Sequence, residues 1–120
     1  MASQVPESDW KRFKIVREKL LERFCERVIA EIASAMTAPG STAHERYLKI
    51  YRLLKQRDEE LADAFNDLRR STALDQLLIM QRMGLLEDED RQAFTAETQD
   101  TLRRWNAFLQ EEAARRAAKP

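Results

Sequence analysis

Residues 47–68, YLKIYRLLKQRDEELADAFNDL, contain a four–three spacing of large apolar residues that is interrupted once. We call this set of positions the seam: Tyr47, Tyr51, Leu54, Asp58, Leu61, Phe65 and Leu68. A four–three repeat lies along one side of an α-helix, as in a coiled coil. At about 100° per residue, Asp58 lies within about 20° of Tyr47 and Phe65 around the helix axis. The sequence therefore predicts a helix that carries a carboxylate in the middle of an apolar seam.

The helix with this seam is predicted to span about residues 42–70. Its start is marked by Thr42 and Glu45, which have the T-x-x-E spacing of a capping box. Its end is less well marked, because Ser71 and Thr72 are themselves good helix caps. A break before a short helix at 73–83 is therefore favoured over one continuous helix.

Two further long helices are predicted on either side of this pair. The first is predicted at about residues 9–36. It should begin after Ser8 or Asp9, because either side chain can accept hydrogen bonds from first-turn N–H groups. It should end at TAPGST, residues 37–42. Gly84 predicts the end of the short helix at 73–83, with Leu85 folding back over its last turn. The last helix, at about 88–114, opens with the acidic run 87–90, where the helix dipole favours negative charge.

These elements indicate an all-α fold, an antiparallel helical bundle of three long helices plus one short helix. Short connections make consecutive helices antiparallel neighbours. We expect one domain at 9–114 and a flexible N-terminal segment at 1–8. Residues 115–120 should form a frayed tail, because no large apolar residue follows to anchor them.

The composition is typical of a soluble helical domain. The 120 residues include two glycines and three prolines, and 35% of them are charged, which suits amphipathic helices better than a sheet. The single cysteine, Cys25, excludes an internal disulfide framework. No apolar run is long enough for a membrane span, and the N-terminal residues lack the apolar segment of a secretory signal. We therefore expect a cytoplasmic protein with no membrane association.

An enzymatic function is not expected from the residues present. His44 is the only histidine, and no Glu-x-x-His pair accompanies it, so no metal site of the helical-bundle type is predicted. No glycine-rich phosphate loop or nucleophile elbow occurs either. The sequence predicts no catalytic residue, metal or cofactor.

Charge is distributed unevenly along the chain, although its net value is zero. Residues 1–57 contain 12 basic and 7 acidic residues, a net charge of +5, and residues 58–120 contain 9 and 14, a net charge of −5. A nucleic-acid-associated regulator using the basic first half is the alternative hypothesis. It is not favoured, because Glu18, Glu22 and Glu26 interrupt the basic residues of the first helix.

The favoured hypothesis is a non-catalytic helical module for protein–protein interaction or regulation that self-associates, with a homodimer slightly favoured. The first helix has a wider apolar arc than one neighbour covers, and the seam resembles that of a coiled coil. Five residues are candidates for polar or partner-binding contacts: Tyr47, Tyr51, Asp58, Arg69 and Arg70.

Asp58 has three possible roles: it could fix the register of a partner helix, belong to a binding site, or mark a place where the seam opens to water. A small-molecule binder or enzyme with a polar pocket in the bundle is the third hypothesis. That pocket would be lined by Asp58, Arg69 and the tyrosine hydroxyls. On a continuous helix, Arg69 would share the face of Tyr51 and Asp58.

Overall fold

The computed structural model describes residues 5–118, and every regular element in that range is helical. The elements are α1 (Glu7–Met36), α2 (Ala43–Phe65), a 3₁₀ turn (Arg70–Thr72), α3 (Ala73–Arg82), α4 (Asp88–Gln92) and α5 (Ala96–Ala118). The all-α prediction is confirmed. None of the helices in this range is long and apolar enough to cross a membrane.

Helices α1 and α2 form an antiparallel hairpin. The side chain of Arg17, near the start of α1, donates to the backbone carbonyl of Phe65 at the end of α2. Further along, Arg57 Nε donates to Glu31 Oε1 at 3.0 Å. The predicted capping box of α2 is present, because Thr42 Oγ1 accepts from the Glu45 N–H at 3.1 Å and Glu45 Oε1 accepts from the Thr42 N–H at 2.9 Å. Contacts thus pair early residues of α1 with late residues of α2.

The predicted break before the short helix is confirmed, but α2 ends at Phe65 and not at residue 70. Side chains in the connection bind backbone groups that a continuing helix would use. Thr72 Oγ1 donates to the carbonyls of Asp67 and Arg69 at 3.2 and 3.1 Å, and Arg69 is extended, with φ −136° and ψ 148°. Arg69 therefore lies outside α2, and the face that a continuous helix would share between Arg69, Tyr51 and Asp58 does not form.

The predicted last helix is two helices separated by a turn, and Asp9 of α1 anchors Thr95, the residue that precedes α5. Its carboxylate accepts three hydrogen bonds, from Thr95 N at 2.8 Å, Thr95 Oγ1 at 2.7 Å and Thr98 Oγ1 at 2.6 Å. The turn between α4 and α5 also buries Phe94. The prediction that α1 starts after Ser8 or Asp9 is wrong accordingly, since α1 begins at Glu7 and Asp9 serves a helix more than 80 residues away in the chain.

The ends of the domain differ from the predicted ends. Val5 is buried, with 4% of its surface exposed, and α1 begins at Glu7. The segment predicted to be flexible, residues 1–8, therefore overlaps the folded domain. Helix α5 continues to Ala118, beyond the predicted end at residue 114. Residues 1–4 and 119–120 lie outside the described residues.

The core lies where α1, the end of α2, α3 and the start of α5 meet. Its fully buried large side chains are Phe13, Leu20, Phe65, Leu77, Met80, Leu85 and Leu102. Gly84 ends the α3 segment with φ 74°, and Leu85 N donates to the Met80 carbonyl at 3.0 Å, as the sequence predicts for this stop. The radius of gyration is 17.3 Å, against about 14 Å for a compact domain of this length. The molecule is therefore elongated, and its helices extend beyond the core.

Asp90 joins the start of α4 to α1 through a buried ion-pair network. Its carboxylate accepts from Arg23 Nη1 and the Glu87 N–H, both at 2.8 Å, and lies 3.0 Å from Lys19 Nζ. Burial raises the pKa of Asp90, but the hydrogen bonds from Arg23, the Glu87 N–H and Lys19 outweigh it, so the pKa lies below its ordinary value. The folded carboxyl is thus the stronger acid, and the stability it contributes is present above the unfolded pKa and lost as the pH falls through the folded pKa.

We expect Asp90→Asn to lower the free energy of unfolding at neutral pH by about 2–3 kcal/mol, because it leaves Arg23 without its buried partner. Below about pH 4, the free energy of unfolding of the variant should also decline less than that of the wild-type protein. Urea unfolding at several pH values measures both effects. The matched control is Asp88→Asn, whose carboxylate is 93% exposed and should contribute under about 1 kcal/mol. Equal effects of the two changes would contradict the role given to Asp90.

Candidate functional site

An exposed apolar surface covers one side of the α1–α2 hairpin. We call it the hairpin face; it comprises the exposed Ile29 and Met36 of α1 and Tyr47, Tyr51 and Leu54 of α2, together with the partly buried Cys25, Ile32 and Leu61. Five of these residues are at least half exposed: Ile29 at 66%, Met36 at 58%, Tyr47 at 67%, Tyr51 at 58% and Leu54 at 50%. Scattered exposed apolar residues are ordinary, whereas several on one face indicate an interaction surface.

A groove of about 250 Å³ lies between the two helices within this face. Its lining residues are Phe24, Cys25, Val28, Ile29, Ile32, Leu54, Arg57, Asp58 and Leu61. Arg57 and Asp58 are the only charged residues among them. The groove therefore offers an apolar floor with a single carboxylate at its edge.

The helical register explains why the first half of the seam is exposed. The side of α2 that packs on α1 carries Leu53, Arg57, Leu61 and Ala64, all at least half buried. Tyr47, Tyr51 and Leu54 lie roughly 65–125° around the helix axis from the centre of that side, so α1 leaves them at least half exposed. The seam reaches the core at its end, where Leu61 packs against the core and Phe65 is 2% exposed.

Arg57 holds the hairpin together beside this groove. Its guanidinium bridges Glu31 of α1, at 3.0 and 3.1 Å, and Glu60 of α2, at 2.8 Å. The hydrogen bonds from Arg57 lower the pKa of Glu31. This arginine is occupied within the chain, which leaves Asp58 as the charge that the groove presents outward.

Asp58 is exposed and makes no side-chain hydrogen bond or ion pair with any described residue. The helical geometry predicted for it is correct, since it lies on the same side of α2 as Leu54. The two tyrosines next to it on the seam likewise direct their exposed rings away from the core. All three candidates on α2 thus belong to one surface.

Arg69 and Arg70, the other two candidates, lie elsewhere. Arg69 donates to both carboxylate oxygens of Asp67 at 2.7 Å and lowers the pKa of that carboxyl. Arg70 Nε donates to the Val5 carbonyl at 2.9 Å and fastens the N-terminal residues to the 3₁₀ turn. Neither arginine lines the groove beside Asp58, so the structure does not assemble the polar pocket of the third hypothesis from these side chains.

A second, smaller apolar patch lies on α5 beyond the core. Trp105 and Phe108 are 45% and 49% exposed. Their rings lie edge to face, with the ring centroids 5.6 Å apart. Only Thr98 and Leu102 of α5 are buried, so the two rings lie beyond the part of the helix that packs on the core. The patch lies on α5 alone, since the depression beside it is lined by Thr101, Arg104, Trp105 and Phe108.

Two further features of the described range are the single histidine and the basic surface of α1. His44 is exposed on the first turn of α2, and no cluster of three metal-binding side chains occurs among residues 5–118. Part of the basic surface is occupied in ion pairs, since Lys19 and Arg23 bind Asp90. Glu87 and Asp90, two of the four acidic residues 87–90, thus pair with the middle of α1.

Residues of α1 in the hairpin face were not selected from the sequence. Ile29 and Met36 belong to the wide apolar arc that predicts two neighbours for α1, and this arc is the only sequence signal for them.

No family model matches the chain, and no curated protein or solved structure is significantly similar to it.

Proposed function

We propose that this protein is a non-catalytic interaction module that self-associates through the hairpin face. The observation that carries the proposal is the exposure of five large apolar residues along one side of two packed helices. Burying apolar surface releases about 25 cal/mol per Å², and an exposed patch of this kind is the usual origin of an association site.

The form of the surface favours a helical partner. The groove between α1 and α2 has the shape that receives the apolar stripe of a third helix, and the seam of α2 supplies such a stripe. A lone acidic residue on a coiled-coil seam acts in known cases as a selector of register and partner, at a cost in stability. Asp58 fits that role because it borders the groove and has no partner among the described residues.

Sedimentation velocity over a series of concentrations tests this proposal. We expect the sedimentation coefficient to rise with concentration in the micromolar range and to level off at the value of a dimer. The transition should persist at moderate salt, because apolar burial is only weakly screened. A coefficient that stays at the monomer value throughout would contradict self-association.

The nucleic-acid alternative stays a prediction of the sequence. Lys19, Arg23 and Arg57 form ion pairs within the chain, which reduces the basic surface open to phosphates. Binding of duplex DNA or single-stranded RNA that weakens steeply with salt would favour this alternative.

A reducing compartment such as the cytoplasm suits the proposed module, since Cys25 is a free thiol at the groove.

A further inference from the structure

We propose that two copies of the chain pair through α2 in an antiparallel manner, with Tyr47 of each copy opposite Asp58 of the other and Tyr51 opposite Leu54. This arrangement rests on the self-association proposed above and adds its geometry. It pairs the Asp58 carboxylate of each copy with the Tyr47 hydroxyl of the other. Neither group has a hydrogen-bond partner within residues 5–118 of its own chain.

The orientation follows from the charges on α2. Its first fifteen residues, 43–57, contain five basic residues and one acidic residue, and its last eight, 58–65, contain four acidic residues. Parallel pairing would align these segments like with like and would place Asp58 against Asp58 of the second copy, which is unfavourable. Antiparallel pairing separates the two Asp58 side chains and, in the register given below, places residues 58–63 of each helix alongside residues 42–47 of the other, which contain Arg46 and one acidic residue, Glu45.

The register follows from the spacing of the exposed seam residues. The steps from Tyr47 through Tyr51 and Leu54 to Asp58 are four, three and four residues, and they read the same in reverse. In an antiparallel pair every one of these residues therefore meets another of them across the interface, so that all four exposed positions are used.

Neighbouring registers with matching steps fit less well. A shift of seven residues in one direction places Tyr47 opposite Phe65, but Phe65 is 2% exposed and belongs to the core of its own chain. A shift of seven in the other direction places Leu54 opposite His44 and leaves Asp58 beyond the start of the facing helix. The register that pairs Tyr47 with Asp58 avoids both defects.

The chemistry of the contact is complementary. The Tyr47 hydroxyl donates to the Asp58 carboxylate, and the two-fold axis produces this hydrogen bond twice. Hydrogen bonds to an ionised acceptor are short and strong compared with neutral ones. The tyrosine ring meanwhile covers the edge of the groove that Asp58 shares with Ile29.

An exchange of charges tests the register. Tyr47→Glu places a carboxylate against Asp58 of the second copy and should raise the dissociation constant at least about 30-fold. Asp58→Lys alone should raise it roughly tenfold, through loss of the hydrogen bond. When both changes are combined, the introduced glutamate meets the introduced lysine of the second copy, so the dissociation constant should return to within roughly tenfold of the wild-type value. The two positions lie eleven residues, about 16 Å, apart along α2 and cannot compensate within one chain.

The matched control is the double variant Tyr51→Glu with Asp58→Lys, which introduces the same charges at positions that do not face each other. It should remain weakly associated. All the altered positions are exposed, so the fold should be retained, and sedimentation equilibrium measures each constant.

The outcomes separate the two proposals. A wild-type protein that is monomeric at every concentration overturns both self-association and the pairing. A dimeric wild type in which Tyr47→Glu with Asp58→Lys shows no recovery, or in which the control recovers as well, overturns the register while leaving self-association in place.

Discussion

Replacing Asp9 by alanine is expected to lower the free energy of unfolding by about 4 kcal/mol, because three donors lose their common acceptor. Asp9 is 1% exposed, and its carboxylate is bound by the Thr95 N–H and by the hydroxyls of Thr95 and Thr98. Thr98 is itself 4% exposed, so water cannot readily replace the lost oxygen. The melting temperature should fall by roughly 15 °C.

Two further variants make this result specific. Asp9→Asn keeps one side-chain oxygen and should lose about half as much stability as alanine. Glu111→Ala removes an exposed carboxylate from α5 and should change the free energy of unfolding by under about 0.5 kcal/mol. Urea unfolding followed by circular dichroism measures all three, and a loss at Asp9→Ala no larger than at Glu111→Ala would contradict the anchoring role.

The second large effect is expected at the interface. Leu54→Glu places a charge in the middle of the hairpin face, and the two-fold axis repeats it, so self-association should weaken at least about 100-fold. The fold itself should be retained, because Leu54 is 50% exposed in the single chain. Sedimentation equilibrium measures the dissociation constant.

Phe108→Glu is the matched control for this change. Phe108 is 49% exposed, nearly the same as Leu54, but it belongs to the patch on α5. We expect its dissociation constant to stay within a few-fold of the wild-type value. Dissociation caused by Phe108→Glu but not by Leu54→Glu would assign self-association to α5.

Local signals in the sequence predict the helices well. The capping box at Thr42 and Glu45 and the stop at Gly84 depend on residues within one turn of the chain, and both are present in the structure. The end of α2 and the division between α4 and α5 were predicted wrongly. Asp9 binds Thr95 and Thr98 at the start of α5 from the far end of the chain, and no spacing within residues 88–114 reveals that contact.

The exposed surface is harder to predict because periodicity identifies an apolar side of a helix but not what covers it. The seam from Tyr47 to Phe65 is continuous in sequence, yet its first half faces solvent and its end lies in the core. Trp105 and Phe108 show the same ambiguity on α5. Which apolar sides are covered depends on where the other helices pack, and the seam therefore predicts an interface only together with the structure.

The central claim is that the hairpin face joins two copies of this chain, and the absolute mass in solution tests it most directly. Light scattering coupled to size-exclusion chromatography, at high micromolar loading, should give twice the chain mass of 14.1 kDa for the wild-type protein. Under the same conditions Leu54→Glu should give the single chain mass. A wild-type mass of 14.1 kDa, or an unchanged dimer mass in Leu54→Glu, would contradict the claim.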